Sequence, residues 1–335
     1  MKKHQSYWFL LLALLVSGTL QAKVNSYIGA YANAGEWSLL PSESKTKPSL
    51  GGAGGVGFLY ELQAGKLYQP TRFLLDVGIG VQGGATTFKQ TDVLTQVLPN
   101  QVDLQGDLFD YVYEIRDRQD QYTNVAVQVP LMIGVQHHKF YMLAGVKVNY
   151  NVMTKSNAIG VLNTYGRYSD FDDFRNMPDY QFFTDRPLKN SSNPKLNLGV
   201  DASVEIGGRL GVITDAVGYD VPKRKIECRL AAFADYGILD IHKEVKGMKL
   251  LETPYLYDTR PASPNYVYNT TTMVDGVLLN DIMSTEGFAK AVNNFMIGLK
   301  FTVLFQLPEP GQCVICHDAY KNLYHPRSGR LKYEE

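Results

Sequence analysis

The chain has 335 residues, and its 33 basic and 33 acidic side chains cancel at neutral pH. That balance, with no basic stripe, excludes a nucleic-acid binder working through phosphate contacts. Tyr at 22 and Gly at 30 residues, with no apolar run that makes a lasting membrane helix, suit a β-barrel whose aromatics sit at membrane interfaces and whose glycines let the wall curve.

In chain order, residues 1–22 have the pattern of a secretory signal peptide: Lys2 and Lys3, an apolar core from Tyr7 to Val16, then Ser17, Gly18 and Thr19 before a cut after Ala22. Leu20 at the −3 position departs from the small-residue rule, so the cut can fall a few residues away. No Cys follows it, which argues against a lipid-anchored amino terminus.

From there the chain alternates at period two. A first, weakly patterned strand is predicted at Val24–Asn33. A second covers Gly52–Gln63, with Val56, Phe58, Tyr60 and Leu62 opposing Gly55, Gly57 and Glu61. In the third, Thr71–Gly83, Phe73, Leu75, Val77, Ile79 and Val81 oppose Asp76, Gly78, Gly80 and Gln82. The clearest stretch is Asn124–Asn151, a hairpin of two long strands turning at Gln136 to His138. Its apolar face runs Val125, Val127, Val129, Leu131, Ile133 and Val135, then Phe140, Met142, Ala144, Val146, Val148 and Tyr150. Alternation this long matches a strand that crosses a bilayer at a tilt. A sixth strand is predicted at Lys195–Gly207, a seventh at Lys225–Leu239 and an eighth at Asn294–Leu307, whose apolar face is Phe295, Ile297, Leu299, Phe301, Val303 and Phe305.

Connections alternate short and long. Ala64–Pro70, Gln136–His138 and Gly208–Arg224 are the expected periplasmic turns; Ala34–Gly51, Gly84–Thr123, Val152–Pro194 and Asp240–Asn293 are longer, more polar, and expected as extracellular loops. The expectation is all-β: an eight-stranded antiparallel transmembrane barrel over residues 23–307, located in the cell outer membrane, with a periplasmic tail at 308–335. Its surroundings would be outer-membrane lipids and an envelope protein partner, with no nucleic acid.

The pattern resembles the OmpA/OmpX-like and PorT-like small outer-membrane barrels. The residues that carry the resemblance are Val127–Leu131 (VQVPL) and Phe140–Gly145 (FYMLAG). The last strand, ending at Phe301, Val303 and Phe305, looks like the aromatic signal read by the barrel-assembly machinery during biogenesis. Two departures stand out: a peptidoglycan-binding domain is absent, and Pro308–Glu335 follows the signal strand. The PorT-like resemblance implies a membrane-embedded part of an envelope or secretion assembly.

An eight-stranded barrel has an interior that side chains fill. The predicted lumen network is Asp76, Lys147, Asp201, Glu205, Glu227, Arg229, Asp235 and Lys300, whose mixed signs favour mutual pairing over an ion path. Cys228 is expected to face lipid. Tyr165, Tyr168, Phe171, Phe174, Tyr180, Phe182 and Phe183 are dense in one loop, either as a partner-binding surface or packed on one another. Cys313, Cys316 and His317 match the C-x-x-C-H haem-attachment pattern, with His325 as a weak second ligand; a metal site and a local disulfide compete with haem, and no cofactor is expected. His242 beside Asp240 is the one candidate base at the outer rim for a barrel enzyme acting on lipid or peptide, while His137 and His138 belong to a turn. Asp170, Asp172 and Asp173 form an acidic loop with the right oxygens for Ca²⁺. The leading expectation is a non-enzymatic barrel acting through its extracellular loops.

Overall fold

A computed structural model describes residues 23–42, 46–65, 70–90, 92–102, 107–170, 172–177, 182–214, 225–252, 277–287 and 290–307. The predicted signal peptide and the tail with Cys313, Cys316, His317 and His325 lie outside the described residues. Among those described there is no helix. The strands are β1 (Lys23–Ser42), β2 (Thr46–Ser49), β3 (Gly51–Gly65), β4 (Thr71–Gln90), β5 (Leu94–Val102), β6 (Leu108–His137), β7 (Phe140–Tyr168), β8 (Arg186–Ser192), β9 (Gly199–Thr214), β10 (Lys225–Gly237), β11 (Leu251–Glu252), β12 (Leu278–Leu279) and β13 (Ala291–Gln306).

Eight of them close a ring in the order β1-β3-β4-β6-β7-β9-β10-β13, every pair antiparallel, with β13 returning to β1. These are the eight strands the alternation marks. Closure leaves no open edge in the ring, so each backbone ladder is satisfied by its neighbours. Pro130 of β6 interrupts one ladder: the β4–β6 pairing passes from Val77–Leu131 to Gly80–Gln128, where proline has no N–H to offer. Gly78 makes room for its ring, since a β-carbon there would lie 3.2 Å from Pro130 Cγ.

Alternation in the ring sorts side chains cleanly. Val56, Phe58, Ile79, Leu131, Ile133, Phe140, Ile206, Leu299 and Phe301 are exposed on the outer face, whereas Glu61, Gln63, Gln128, Lys147, Asp201 and Glu205 are buried inside. Cys228 is half-buried on the outer face. Phe140 is 75 % exposed and Glu61 0 %, the reverse of the usual hydrophobic-in rule.

The strands run much further than the alternation test reached. Gly84–Thr123 and Val152–Pro194, expected as loops, are largely sheet: β4 continues to Gln90, β6 begins at Leu108, β7 runs to Tyr168, and β5 and β8 add to β6 and β7. Ala34–Gly51 is likewise mostly strand, and β9 takes the start of the turn expected at Gly208–Arg224. In β6 and β7 the continuation passes a bulge in each strand. Between Arg116 and Gln119 the register shifts and Asp117 sits at φ 51°; a second shift separates the Val125–Met153 pair from Ala126–Asn151. An inserted residue moves every later side chain to the opposite parity. Beyond the bulges, Tyr111, Tyr113 and Ile115 of β6 and Ala158 and Leu162 of β7 are buried on the face continuous with the ring interior.

Candidate functional site

Three basic side chains organise the acids inside the ring. Arg229 donates through Nη1 to Glu61 Oε2 at 2.6 Å, through Nη2 to Glu61 Oε1 at 2.8 Å, and through Nε to Glu227 Oε1 at 2.7 Å. Lys300 Nζ donates to Glu205 Oε2 at 2.8 Å, and Tyr141 donates its hydroxyl to the other Glu205 oxygen at 2.6 Å. Lys147 Nζ donates to Asp235 Oδ2 at 2.8 Å. Each cation also faces a ring: Arg229 over Tyr141 at 4.8 Å, Lys300 over Tyr31 at 4.8 Å and Lys147 over Phe233 at 4.7 Å. Asp201 accepts from Asn149 at 2.6 Å and from Asn294 at 2.7 Å, both on Oδ2.

The structure thus gathers all eight predicted network residues inside the ring and adds Glu61, which pairs across from Asp76 on the neighbouring strand. The signal for Glu61 was its parity, shared with Gly55 and Gly57. Charges held this closely and this deeply form a structural plug: a buried ion pair persists only where its partners satisfy one another. The wall is fitted around the plug. Tyr31 lies across Gly57 of β3 and Gly80 of β4, and a β-carbon at either glycine would collide with the tyrosine ring.

Above the charges, Trp37, Leu39, Phe88, Tyr122, Phe233, Val292 and Met296 pack with Ile282 and Met283 into an apolar layer. Ile282 and Met283 belong to a segment, residues 277–287, that sequence reasoning left within a loop. Its anchor is polar. Asp120 accepts from Arg118 Nε and Nη2, each at 2.8 Å, and from the Ile282 amide at 3.0 Å; Arg118 also donates to the Asn280 carbonyl. Asp281 accepts from Ser192 Oγ at 2.7 Å and from the Ser284 amide at 2.9 Å. Burial pushes the Asp120 carboxyl above the usual carboxylate range, with Arg118 opposing that shift. Charge layer and apolar layer together close the interior at the end where the long connections lie.

Beyond the ring, β5–β8 form a sheet extension with its own core. Phe109, Tyr111, Tyr113, Ile115, Leu162 and Phe182 meet Leu251, Val277 and Leu279 there. Phe109 stacks on Tyr168 at 5.2 Å between centroids, and Phe174 meets Tyr168 edge-on at 5.1 Å. The loop expected to present aromatics therefore folds back. Phe182 is buried and Tyr168, Phe174 and Phe183 are half-buried against this core. Tyr165 is buried on the opposite face, donating to Glu114 at 2.9 Å beneath the Arg175 guanidinium at 3.8 Å. Phe171 and Tyr180 lie outside the described residues. Burial raises the hydroxyl pKa of Tyr113 and Tyr165.

The other candidates do not converge. His242 is buried, its amide donates to Asp240 at 2.9 Å, and among the described residues its Nε2 has no hydrogen-bond partner. Asp173 is occupied by Arg175 at 3.1 Å and Arg167 at 3.7 Å, while Asp170 and Asp172 are exposed; no group of three metal-ligating side chains occurs among the described residues. His137 and His138 stack edge-on at the β6–β7 turn, with His137 Nδ1 2.8 Å from Thr71 Oγ1.

Within β6 the polarity of the two faces reverses. From Val125 to Val135 the outward side chains are apolar and the inward ones include Gln128 and Gln136; from Asp110 to Arg116 the outward ones are Asp110, Glu114 and Arg116 with a buried Val112 between them, and the inward ones Tyr111, Tyr113 and Ile115. Neither a protein-family model nor a curated protein sequence matches the chain.

Proposed function

We propose that the chain is an eight-stranded outer-membrane β-barrel, plugged rather than conducting, whose sheet extension is an extracellular recognition scaffold within an envelope or secretion assembly. The observation that carries the reading is the reversal of polarity along β6. A strand whose outer face is apolar below Asn124 and polar from Arg116 upward has passed from hydrocarbon to water, because only that change of solvent reverses which face an apolar side chain prefers. The outward apolar spans support it: Phe73–Val81, Val127–Val135, Phe140–Tyr150 and Phe295–Phe305 match the roughly 9–11 residues a tilted strand needs to cross.

The interior supports a non-conducting role, since cations, acids and the apolar layer fill it. Recognition then falls to the extension, where β6 alone carries Leu108–Thr123, roughly 50 Å of strand at ~3.3 Å per residue. A rigid scaffold held far from the bilayer suits contact with another envelope protein. In this orientation the β6–β7 turn faces the periplasm.

The test is surface labelling of intact Gram-negative cells carrying the protein with Thr95→Cys or Lys139→Cys, in a Cys228→Ser, Cys313→Ser, Cys316→Ser background. A membrane-impermeant maleimide should label Thr95→Cys on intact cells and Lys139→Cys only after the outer membrane is permeabilised. Recovery of the protein in the soluble fraction, or the opposite labelling pattern, would sink the proposal. Crosslinking from native membranes then asks whether deleting residues 92–121 together with 154–192 abolishes partner capture while the heat-modifiable ring survives.

A further inference from the structure

The polar interior is not balanced. Among the described residues Glu61, Asp76, Asp201, Glu205, Glu227 and Asp235 are buried there against Lys147, Arg229 and Lys300, and one further cation, Arg209, reaches Glu227 from the rim at 3.7 Å. The unpartnered buried atoms point the same way. Asn33 Oδ1, Asp76 Oδ1, Asp201 Oδ1, Asp235 Oδ1 and Ser203 Oγ have no hydrogen-bond partner among the described residues; the first four only accept, and the serine hydroxyl accepts as well as donates. What this interior calls for is positive charge.

It also has one place to put it. A cavity of about 30 Å³ lies under the apolar layer, and its wall includes Asp201, Gln82, Asn124, Asn149, Asn151 and Asn294. That is room for a water molecule or for an ion in its place. Asp201 is 1 % exposed. Its Oδ2 is saturated by two amide donors while Oδ1 has none. The side-chain amides bring carbonyl oxygens whose second lone pairs remain for a cation, the way a ring of carbonyl dipoles replaces a hydration shell in a selectivity filter.

We infer that this cavity is a binding site for one monovalent alkali cation, held by Asp201 Oδ1 and the surrounding amide oxygens. A single carboxylate in the wall selects against Ca²⁺, which takes six to eight oxygens including several carboxylates. Neutral amides with one negative charge instead match a singly charged ion. Bound there, the cation offsets the local acid surplus of Asp201 and Asp235 that Lys147 alone leaves, and it ties β7, β9 and β13 together beneath the cap.

The experiment is twofold. Purified full-length protein in detergent is melted at equal ionic strength in sodium, potassium or choline chloride, alongside Asp201→Asn and Asp235→Asn. Wild type should gain melting temperature as sodium or potassium replaces choline, and Asp235→Asn, which lies outside the cavity wall but leaves Lys147 to balance Asp201, should gain less. Asp201→Asn should lose that dependence. Crystals of the wild type exchanged into thallium(I) should then show one anomalous peak within coordination distance of Asp201, a readout that needs no variant to fold. Melting indifferent to the cation with water density and no thallium signal in the cavity would overturn the inference, as would stabilisation by calcium alone.

Discussion

The same two strands, β6 and β7, build two cores of opposite chemistry. In the ring they enclose charges and amides and turn Leu131, Ile133 and Met142 outward; in the extension they enclose Tyr111, Tyr113 and Leu162 and turn Glu114, Arg116 and Lys155 outward. Hydrogen-bond geometry also differs. The ring interior depends on directional pairs such as Arg229 with Glu61, so its contents are specified by position as well as polarity. The extension depends on area and ring packing, which tolerate exchange of shape more readily than exchange of charge. The difference teaches that one continuous sheet can change which of its two faces is apolar.

The sharpest way to break the contrast is Arg229→Ala. It leaves Glu61 and Glu227 buried without their shared cation, a change that costs about 3–5 kcal/mol when one partner of a buried pair is removed. Urea unfolding of the detergent-solubilised protein should show that loss for the whole ring. Phe182→Ala removes a comparable amount of side chain from the extension, about 3 kcal/mol of core packing. Its effect should stay local: hydrogen exchange should quicken in residues 108–115 and 161–168 while the ring amides remain protected. Equal loosening of both regions would show that they are one cooperative unit.

How much of this was legible in the sequence follows from where parity is preserved. Along Thr71–Gly83 and Phe140–Asn151 no residue is inserted, so alternation gave the strands, their facing and the network of Asp76, Lys147 and their partners. Through Arg116–Asn124 polar residues fall on both faces, and at Asp117 and near Val152 bulges turn the facing over, so the same test returned polar loops where β6 and β7 run on. Arg118, Asp120 and Asp281 were illegible for another reason. Their decisive partners lie far off in the chain, Asn280 at 162 residues from Arg118 and Ser192 at 89 from Asp281, and nothing local announces such a pairing.

Gly80→Ala probes the ring wall at smaller cost. In an ordinary strand interior the added methyl group is favourable, since glycine loses more freedom on folding than alanine. Here the β-carbon would meet the Tyr31 ring, and overpacking of this kind costs about 1–3 kcal/mol. Destabilisation by Gly80→Ala that disappears in Gly80→Ala with Tyr31→Ala, measured as a double-mutant cycle, would place the strain in that contact. Additive losses would place it elsewhere.

The smallest effect, and the one that separates the two cores most cleanly, is expected from Tyr113→Phe. Tyr113 is fully buried in the extension, and its hydroxyl has no hydrogen-bond partner among the described residues. A buried unpaired hydroxyl is a cost, so removing it should leave the extension as stable or raise its stability by up to about 1 kcal/mol; the same deletion at Tyr141, whose hydroxyl is bonded to Glu205 inside the ring, should be destabilising. The pH dependence follows from the same burial. The Tyr113 hydroxyl pKa is raised above its unfolded value near 10, so the neutral form is retained in the fold. Its contribution to stability is therefore full below pH ~10 and is lost as pH climbs further, because the unfolded chain ionises first and is favoured. Absorbance of tyrosinate followed together with hydrogen exchange should show the wild-type extension opening above pH ~10, with the onset moved upward in Tyr113→Phe. An onset that does not move would assign the alkaline opening to another buried tyrosine, with Tyr165 the next to replace.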